Sequence, residues 1–401
     1  MAKDAMKVTR LQDMDVSDKR VLMRVDYNVP FEGSDVGDAT RITETLPTLS
    51  HLKEAGAKVV LISHLGRPKG ARNAKYSLKP VADKLSELIG APVAFADDCV
   101  GEAAEKIVAS LKSGDVALLE NLRFHKGEEG NDDDFSAKLA AHGDVFIQEA
   151  FGALHRSHAS TTGIPKYLES GVGFLVQKEL EFLDRVIGNP VRPFLAILGG
   201  AKVSDKLKVT LRLLDRVDTL LIGGAMSYTF LYTQGISIGK SLLEKESLAD
   251  AQDVIEKAYA KNIELLMPAD HIMVSEIKAD AKTEPSQGMA IRNDKIGVDI
   301  GPRSVELFAE KIGEAKTIFW NGPMGIFETP AFANGSFGVA KALAEATGNG
   351  ATTIVGGGDS LAVLKAANLK GKVTHCSTGG GASLKLLEGS VLPGLQALSG
   401  R

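Results

Sequence analysis

The chain has 401 residues, 44% of them hydrophobic and 24% charged, with a formal net charge of -4. At about 150 residues per domain, that length implies two or three cores, and the composition excludes a disordered or fibrous chain. The mild acidity gives no global field for nucleic acid or an acidic membrane, so partners should be small and any anion must be held by local clusters.

Short β-rich runs, RVLMRVDYNV, KVVLISH, DVALLENLR and DVFIQEAF, alternate with helical periodicity through the first half. FLVQKELEFLDRVIGNP then keeps helical spacing at Phe174, Leu180, Leu183 and Ile187 until Asn189-Pro190 stops it. Beyond it FLAILGG, TLLIGG, ELLMPAD, TIFWNGP, TTIVGGGD and VTHCSTGGG resume the alternation. The runs are nearly continuous apolar strands, as expected when helices cover both faces of a parallel sheet. The pattern predicts an α/β fold of two doubly wound, Rossmann-like three-layer αβα domains, with mainly parallel sheets joined by a helical hinge. The boundaries are placed at 1–173, 174–189 and 190–390. Residue usage agrees: adjacent glycines occur only after residue 190, while six of the eight histidines lie in the first 160 residues.

Cys99 and Cys376 are the only cysteines and lack metal-ligand spacing, so neither a disulfide framework nor a zinc ribbon is expected and a reducing cytoplasm fits. The start, MAKDAMKVTRLQDMDV, has no apolar core of a signal peptide, and no apolar run reaches membrane-spanning length.

Polar residues stand where predicted strands end: Asp26 and Asn28, His64 and Arg67, Arg123, and His155-Arg156, with Arg41 opening the ATRITETL segment. Ligands of open α/β sheets bind at the carboxyl ends of strands, and arginine's planar fork matches phosphate and carboxylate oxygens. The set therefore predicts an anion site, each arginine alone being equally readable as a surface residue. Asp26 is an orienting partner for an arginine or a substrate hydroxyl. His155-x-x-His158 lacks the further ligands of a metal site, and Asn131 to Asp134 reads as a helix start rather than a calcium loop.

In the second half, FLAILGGAKVSDKLKVTLRLL predicts strand, glycine turn and a helix with Val203, Leu207, Leu211 and Leu214 buried, placing Lys202 and Lys206 near its first turn. TTIVGGGDSLAVL repeats the arrangement, with Asp359 either taking a metal ion that bridges phosphates or serving as a helix N-cap. GISIGKS misses the Walker A spacing and no GxGxxG follows a strand. Trp320 to Pro323 reads as a strand-end loop walling a ribose or base, or as a core tryptophan and a turn.

Nine blocks in order, VDYNVP, SHLGRPKG, LLENLRFHKGEE, EAFGALHRSHAS, LGGAKVSDK, DIGP, WNGPMGIFE, GGGDS and STGGGASL, closely resemble phosphoglycerate kinases over essentially the whole chain. The resemblance implies reversible transfer of the 1-phosphoryl group of 1,3-bisphosphoglycerate to MgADP, giving 3-phosphoglycerate and MgATP in glycolysis. It implies a triose site of Asp26, Asn28, Arg41, His64, Arg67, Arg123 and Arg156. It further implies a nucleotide site of Lys202, Lys206, Gly223, Gly224, Gly297, Asn321, Glu328, Gly357, Gly358, Asp359 and Ser360, with Asp359 on Mg2+ and Glu328 on the ribose. A monomer follows, as does a tail, 391–401, returning to the first domain. Arg41, Lys202, Gly357 and Gly358 are then the groups that stabilise the transferring phosphoryl, with closure about the 174–189 helix bringing the substrates together. Gln148-Glu149 departs from the family's Asn-Asp, which puts in question how the Arg156 loop is held, and Lys385 replaces a common Glu. The alternatives are a kinase for another phosphorylated acid and a non-catalytic phosphometabolite sensor.

Overall fold

The computed structural model describes residues 8–399; the start of the chain, the last two residues of the 391–401 tail and the side chain of Ile187 lie outside the described residues. Two compact units form. One runs to Glu181 and takes the chain back from Ser390, and the other is Phe182–Gly389, so the contact boundary falls inside the helix Phe174–Ile187.

The first unit is built on a six-stranded sheet, in spatial order Val93–Ala96, Val116–Leu119, Lys58–Ile62, Arg20–Arg24, Val145–Gln148, Glu169–Val172. Every pairing is parallel. The chain adds strands on one side of Arg20–Arg24 and later on the other, so the order reverses beside that strand, where an open sheet leaves a crevice for ligands. Val21, Met23, Val59, Leu61 and Ile147 form the core of one face.

The second unit's main sheet, Glu264–Leu266, Thr219–Ile222, Phe194–Leu198, Thr317–Asn321, Thr352–Gly356, His375–Ser377, is likewise all parallel. Taken in chain order its strands lie 3-2-1-4-5-6, the doubly wound order of dinucleotide folds, with the switch point between Phe194–Leu198 and Thr317–Asn321. Both of those strands are buried at all five positions, the mark of helices on both faces. A three-stranded antiparallel sheet, Glu284–Pro285, His271–Val274 and Ile296–Ile300, was not anticipated.

The structure corrects one local expectation and decides two that stood open. The helix after FLAILGG begins only at Leu207 and ends at Leu213. Lys202 therefore sits in the preceding turn, and the buried positions are Val203, Val209, Leu213 and Leu214, with Leu207 and Leu211 only partly covered. Trp320 is the core residue of the second reading, 0% exposed with its indole N–H donating to the Gly322 carbonyl at 2.7 Å, while Pro323, Ile326 and Glu328 of the same segment line a cleft. Asp359 is not an N-cap: that position is Gly357, and Asp359 stands exposed in the first turn of Gly358–Ala366. Asn131 to Asp134 does open a helix, Asp132 accepting from the Phe135 amide at 2.8 Å.

Candidate active site

At the carboxyl edge of the first sheet, parallel neighbours bring their following loops together. Asn121, fully buried after Val116–Leu119, accepts from the amides of Leu65 (3.2 Å) and Arg123 (3.0 Å), and donates to the Leu65 carbonyl at 2.7 Å. It thus stitches the Arg123 loop to the His64 loop. Arg123 Nη1 donates to the Gly66 carbonyl at 2.7 Å, and the Gly66 amide donates to Asn28 Oδ1 at 2.9 Å. Arg67, next in the chain, is held on an anchored turn with its side chain exposed. Arg41 Nη1 lies 2.7 Å from Asp26 Oδ2, the orienting pair anticipated for Asp26. Arg156 is half-buried, its Nε 3.3 Å from His155 Nε2.

Arg24 was missed. It ends the central strand, is 1% exposed, and donates to Ser160 Oγ at 2.8 Å and to the Val25 carbonyl. Glu128, 0% exposed and 4.0 Å from Arg24, accepts from the Ser160 amide (3.0 Å) and hydroxyl (2.6 Å) and faces His158 Nδ1 at 3.6 Å. The signal available was a charged residue inside an otherwise apolar strand, VLMRV.

Arg24 Nη2 lies 3.0 Å from His64 Nδ1. A guanidinium only donates, so Nδ1 accepts and the imidazole proton resides on Nε2. Burial pushes the His64 pKa well below its usual value, and the charges of Arg24, Arg123, Arg156 and Arg41 act in the same direction. His64 is therefore a neutral Nε2–H donor, and four guanidinium fields converge on it, which is the electrostatic signature of an anion site. Nitrogen-15 NMR of the imidazole at pH 6 is expected to show His64 neutral with the proton on Nε2; an imidazolium, or a proton on Nδ1, would rule this out.

Of the Gln148-Glu149 departure, Gln148 is paired with Arg24 in the parallel sheet and its Oε1 accepts from the Ala150 amide at 3.1 Å. Glu149 is fully buried and accepts from Thr48 Oγ1 and from the Leu175 amide at 3.0 Å, anchoring the start of Phe174–Ile187. Burial raises its pKa to about 7. Lys385 is exposed on the helix Gly381–Leu387.

At the second sheet's switch point the backbones of three loops nearly touch. A Cβ on Gly322 would lie 2.2 Å from the Gly199 carbonyl oxygen, and one on Gly224 2.5 Å from the Gly200 nitrogen, so only glycine fits. Beside this crossing lies a cleft of about 430 Å³ bordered by Gly224, Gly297, Glu328 and Asp359, with Tyr228, Leu242, Ile277 and Met324 supplying apolar wall. A small-molecule site has this mix of apolar surface and few polar groups.

The other expected nucleotide residues do not line the cleft itself, though Lys202 and Gly358 are chain neighbours of Ala201 and Asp359, which do. Lys206 Nζ bonds Asn321 Oδ1, and Asn321 Nδ2 donates to the Gly356 carbonyl at 2.8 Å. Burial lowers the Lys206 pKa while the charges of Asp205 and Asp359 raise it. Gly357 at φ +91° caps Gly358–Ala366, leaving the helix's first amides for an anion. Ser360 is buried and accepts from the Gly322 amide at 2.7 Å, and a Cβ on Gly223 would strike Met324 Sδ at 2.3 Å; both shape the backbone and do not border the cleft. Lys202 is exposed beside these elements. Asp299, also missed, is buried and holds the amides of Gly335 (2.6 Å) and Ile300 (2.9 Å).

A family profile described as phosphoglycerate kinase matches residues 11–390. The chain belongs to the phosphoglycerate kinase family. It is 50% identical over 393 residues to the phosphoglycerate kinase of Elusimicrobium minutum, covering 98% of both chains. It is also 50% identical over 396 residues to that of Chlorobaculum tepidum, covering 98% of this chain and 100% of the relative. The solved structure of phosphoglycerate kinase from Coxiella burnetii superposes with a TM-score of 0.88 at 39% identity over 98% of both chains. That from Pyrococcus horikoshii gives 0.84 at 34% identity, covering 97% of this chain and 98% of the other. The two-domain α/β architecture and the kinase assignment are those of phosphoglycerate kinases.

Proposed function

We infer that the chain transfers a phosphoryl group reversibly between the 1-position of 1,3-bisphosphoglycerate and MgADP. The triose is held by Asp26, Asn28, Arg41, His64, Arg67, Arg123 and Arg156, and the nucleotide by the glycine cleft with Lys202, Lys206 and the Gly357-Gly358 helix start. The observation that supports the triose assignment is the convergence of four guanidinium fields on a buried, neutral His64.

The nucleophile is an ADP phosphate oxygen in one direction and a carboxylate in the other, both ionised near pH 7, so no general base is required. His64 has its only ring lone pair engaged by Arg24, so it is fitted to donate to the triose and not to take a proton. Arg41, Lys202 and the amides at Gly357-Gly358 align the transferring group and offset its charge. Asp359 is exposed on the cleft and offers hard carboxylate oxygens, the donor type Mg2+ takes, so the residues fit that ion. When bound, Mg2+ neutralises charge on the nucleotide phosphates.

Arg67→Ala is expected to raise KM for 3-phosphoglycerate about tenfold, the loss of one charge-assisted hydrogen bond, and to leave KM for ATP unchanged. Initial-rate kinetics with each substrate varied in turn decide this, and an equal rise in both KM values would refute the assignment. The family further supports a cytoplasmic monomer that closes about Phe174–Ile187. Small-angle scattering is expected to give a monomer's mass and a smaller radius of gyration with both substrates than with either; a dimer's mass, or an unchanged radius, would remove that part.

A further inference from the structure

Asp98 and Cys99 follow the strand Val93–Ala96, and His125 follows its parallel neighbour Val116–Leu119 through the turn Leu122–Phe124. Pairing of the two strands thus brings three side chains of different donor chemistry to one point. A carboxylate oxygen of Asp98, the Cys99 sulfur and an imidazole nitrogen of His125 all lie within 4.8 Å of one another. We propose that Asp98, Cys99 and His125 form a binding site for a single zinc-type divalent ion, separate from the Mg2+ of the kinase reaction.

The donor set selects the ion. Thiolate, imidazole and carboxylate together suit Zn2+, whereas Mg2+ and Ca2+ take oxygen ligands. The ligands are also arranged as a site. Cys99 is 0% exposed and lies innermost, and the side chains of Asp98 and His125 are 41% and 31% exposed, leaving the outer side for entry and for a water as fourth ligand. His125 Nε2 and Asp98 Oδ1 are 2.6 Å apart, a hydrogen bond that the ion replaces with a small opening of the pair.

Each ligand is also held from behind, as metal ligands usually are. The His125 ring stacks on Phe135 with centroids 5.2 Å apart. The Cys99 carbonyl meets His142 Nε2 at 3.1 Å, and the Cys99 amide donates to Asp98 Oδ1 at 2.7 Å. Burial first, and then the charges of Asp98, Glu128 and Glu120, push the Cys99 thiol pKa well above its usual value, and those same charges attract a cation. Binding of the ion therefore has to displace the thiol proton.

With only two cysteines in the chain, the test can be made on one thiol. In a Cys376→Ser background the full-length protein is titrated with Co2+, whose thiolate charge-transfer absorption reports a sulfur ligand directly. One equivalent is expected to produce the band, and Zn2+ to displace it. Cys99→Ala should abolish it, and His125→Gln and Asp98→Asn, at partly exposed positions that can be changed without emptying a core, should each weaken Co2+ at least tenfold, with kinase turnover confirming the fold. Absence of the band in the Cys376→Ser protein, its persistence in Cys99→Ala, or unchanged affinity in both His125→Gln and Asp98→Asn would each overturn the site. If Cys99→Ala fails to fold, the band in the background protein and the two outer variants decide.

Discussion

Arg41→Ala is expected to lower kcat by about a hundred- to a thousandfold, the cost of removing one donor aimed at developing charge. The loss should fall on kcat because the guanidinium is poised rather than consumed in the fold. Its only ion pair among the described residues is with Asp26 at 2.7 Å, and its side chain remains 38% exposed, against 6% for Arg123. A residue so placed can turn to the transferring phosphoryl without unmaking the loop. For the same reason thermal stability should change little, since a half-exposed pair contributes at most about 1 kcal/mol. Steady-state kinetics and a melting curve on one preparation give both readings. A kcat within about threefold of wild type, with KM for the triose raised, would confine Arg41 to ground-state binding.

Arg24→Met should act on stability instead. It removes the cation from a pocket in which Glu128 is 0% exposed, and breaking a buried pair from one side costs about 3–5 kcal/mol. At about 2–4 °C per kcal/mol for a unit of this size, the first unit's melting temperature should fall by roughly 6–20 °C. Glu128→Gln added to Arg24→Met should restore part of it, because the uncompensated charge is then gone. Burial acts to raise the Glu128 pKa, but His158, Arg24 and Ser160 outweigh it and hold the group below its ordinary value of 4.5. A depressed carboxylate stabilises above its unfolded pKa and loses that contribution as pH falls through its folded pKa, so the penalty of Arg24→Met should shrink as pH falls below the ordinary carboxylate range. A loss under about 1 kcal/mol at pH 7 would mean that the network is not a structural keystone.

The sequence was most informative where local chemistry and chain order coincide. Strand ends followed by Arg, His or paired glycines were visible, because a parallel sheet sends all its loops to one edge. What stayed hidden depends on partners distant in sequence. Arg24 needs Ser160 and Glu128 before its burial makes sense, and Asn121 needs Leu65. Glu149 was expected to bear on how the Arg156 loop is held, yet its carboxylate meets Thr48 and the amide of Leu175. The small antiparallel sheet escaped notice because its strands run only two to five residues, too short for a periodic signal. Lys202 was drawn into a helix by an apolar spacing that the turn before Leu207 happens to share.

The central claim is that the first unit's arginine cluster recognises a phosphorylated three-carbon acid and the second unit's cleft presents the nucleotide to it. The most direct test is ATP- and Mg2+-dependent phosphorylation of 3-phosphoglycerate, coupled to reduction of the acyl phosphate formed and run beside phosphorylated acids of other carbon skeletons. The account predicts kcat/KM for 3-phosphoglycerate at least about a hundredfold above any other acid, a discrimination that hydrogen-bonded sites reach readily. No turnover of 3-phosphoglycerate, or equal turnover across the series, would contradict it.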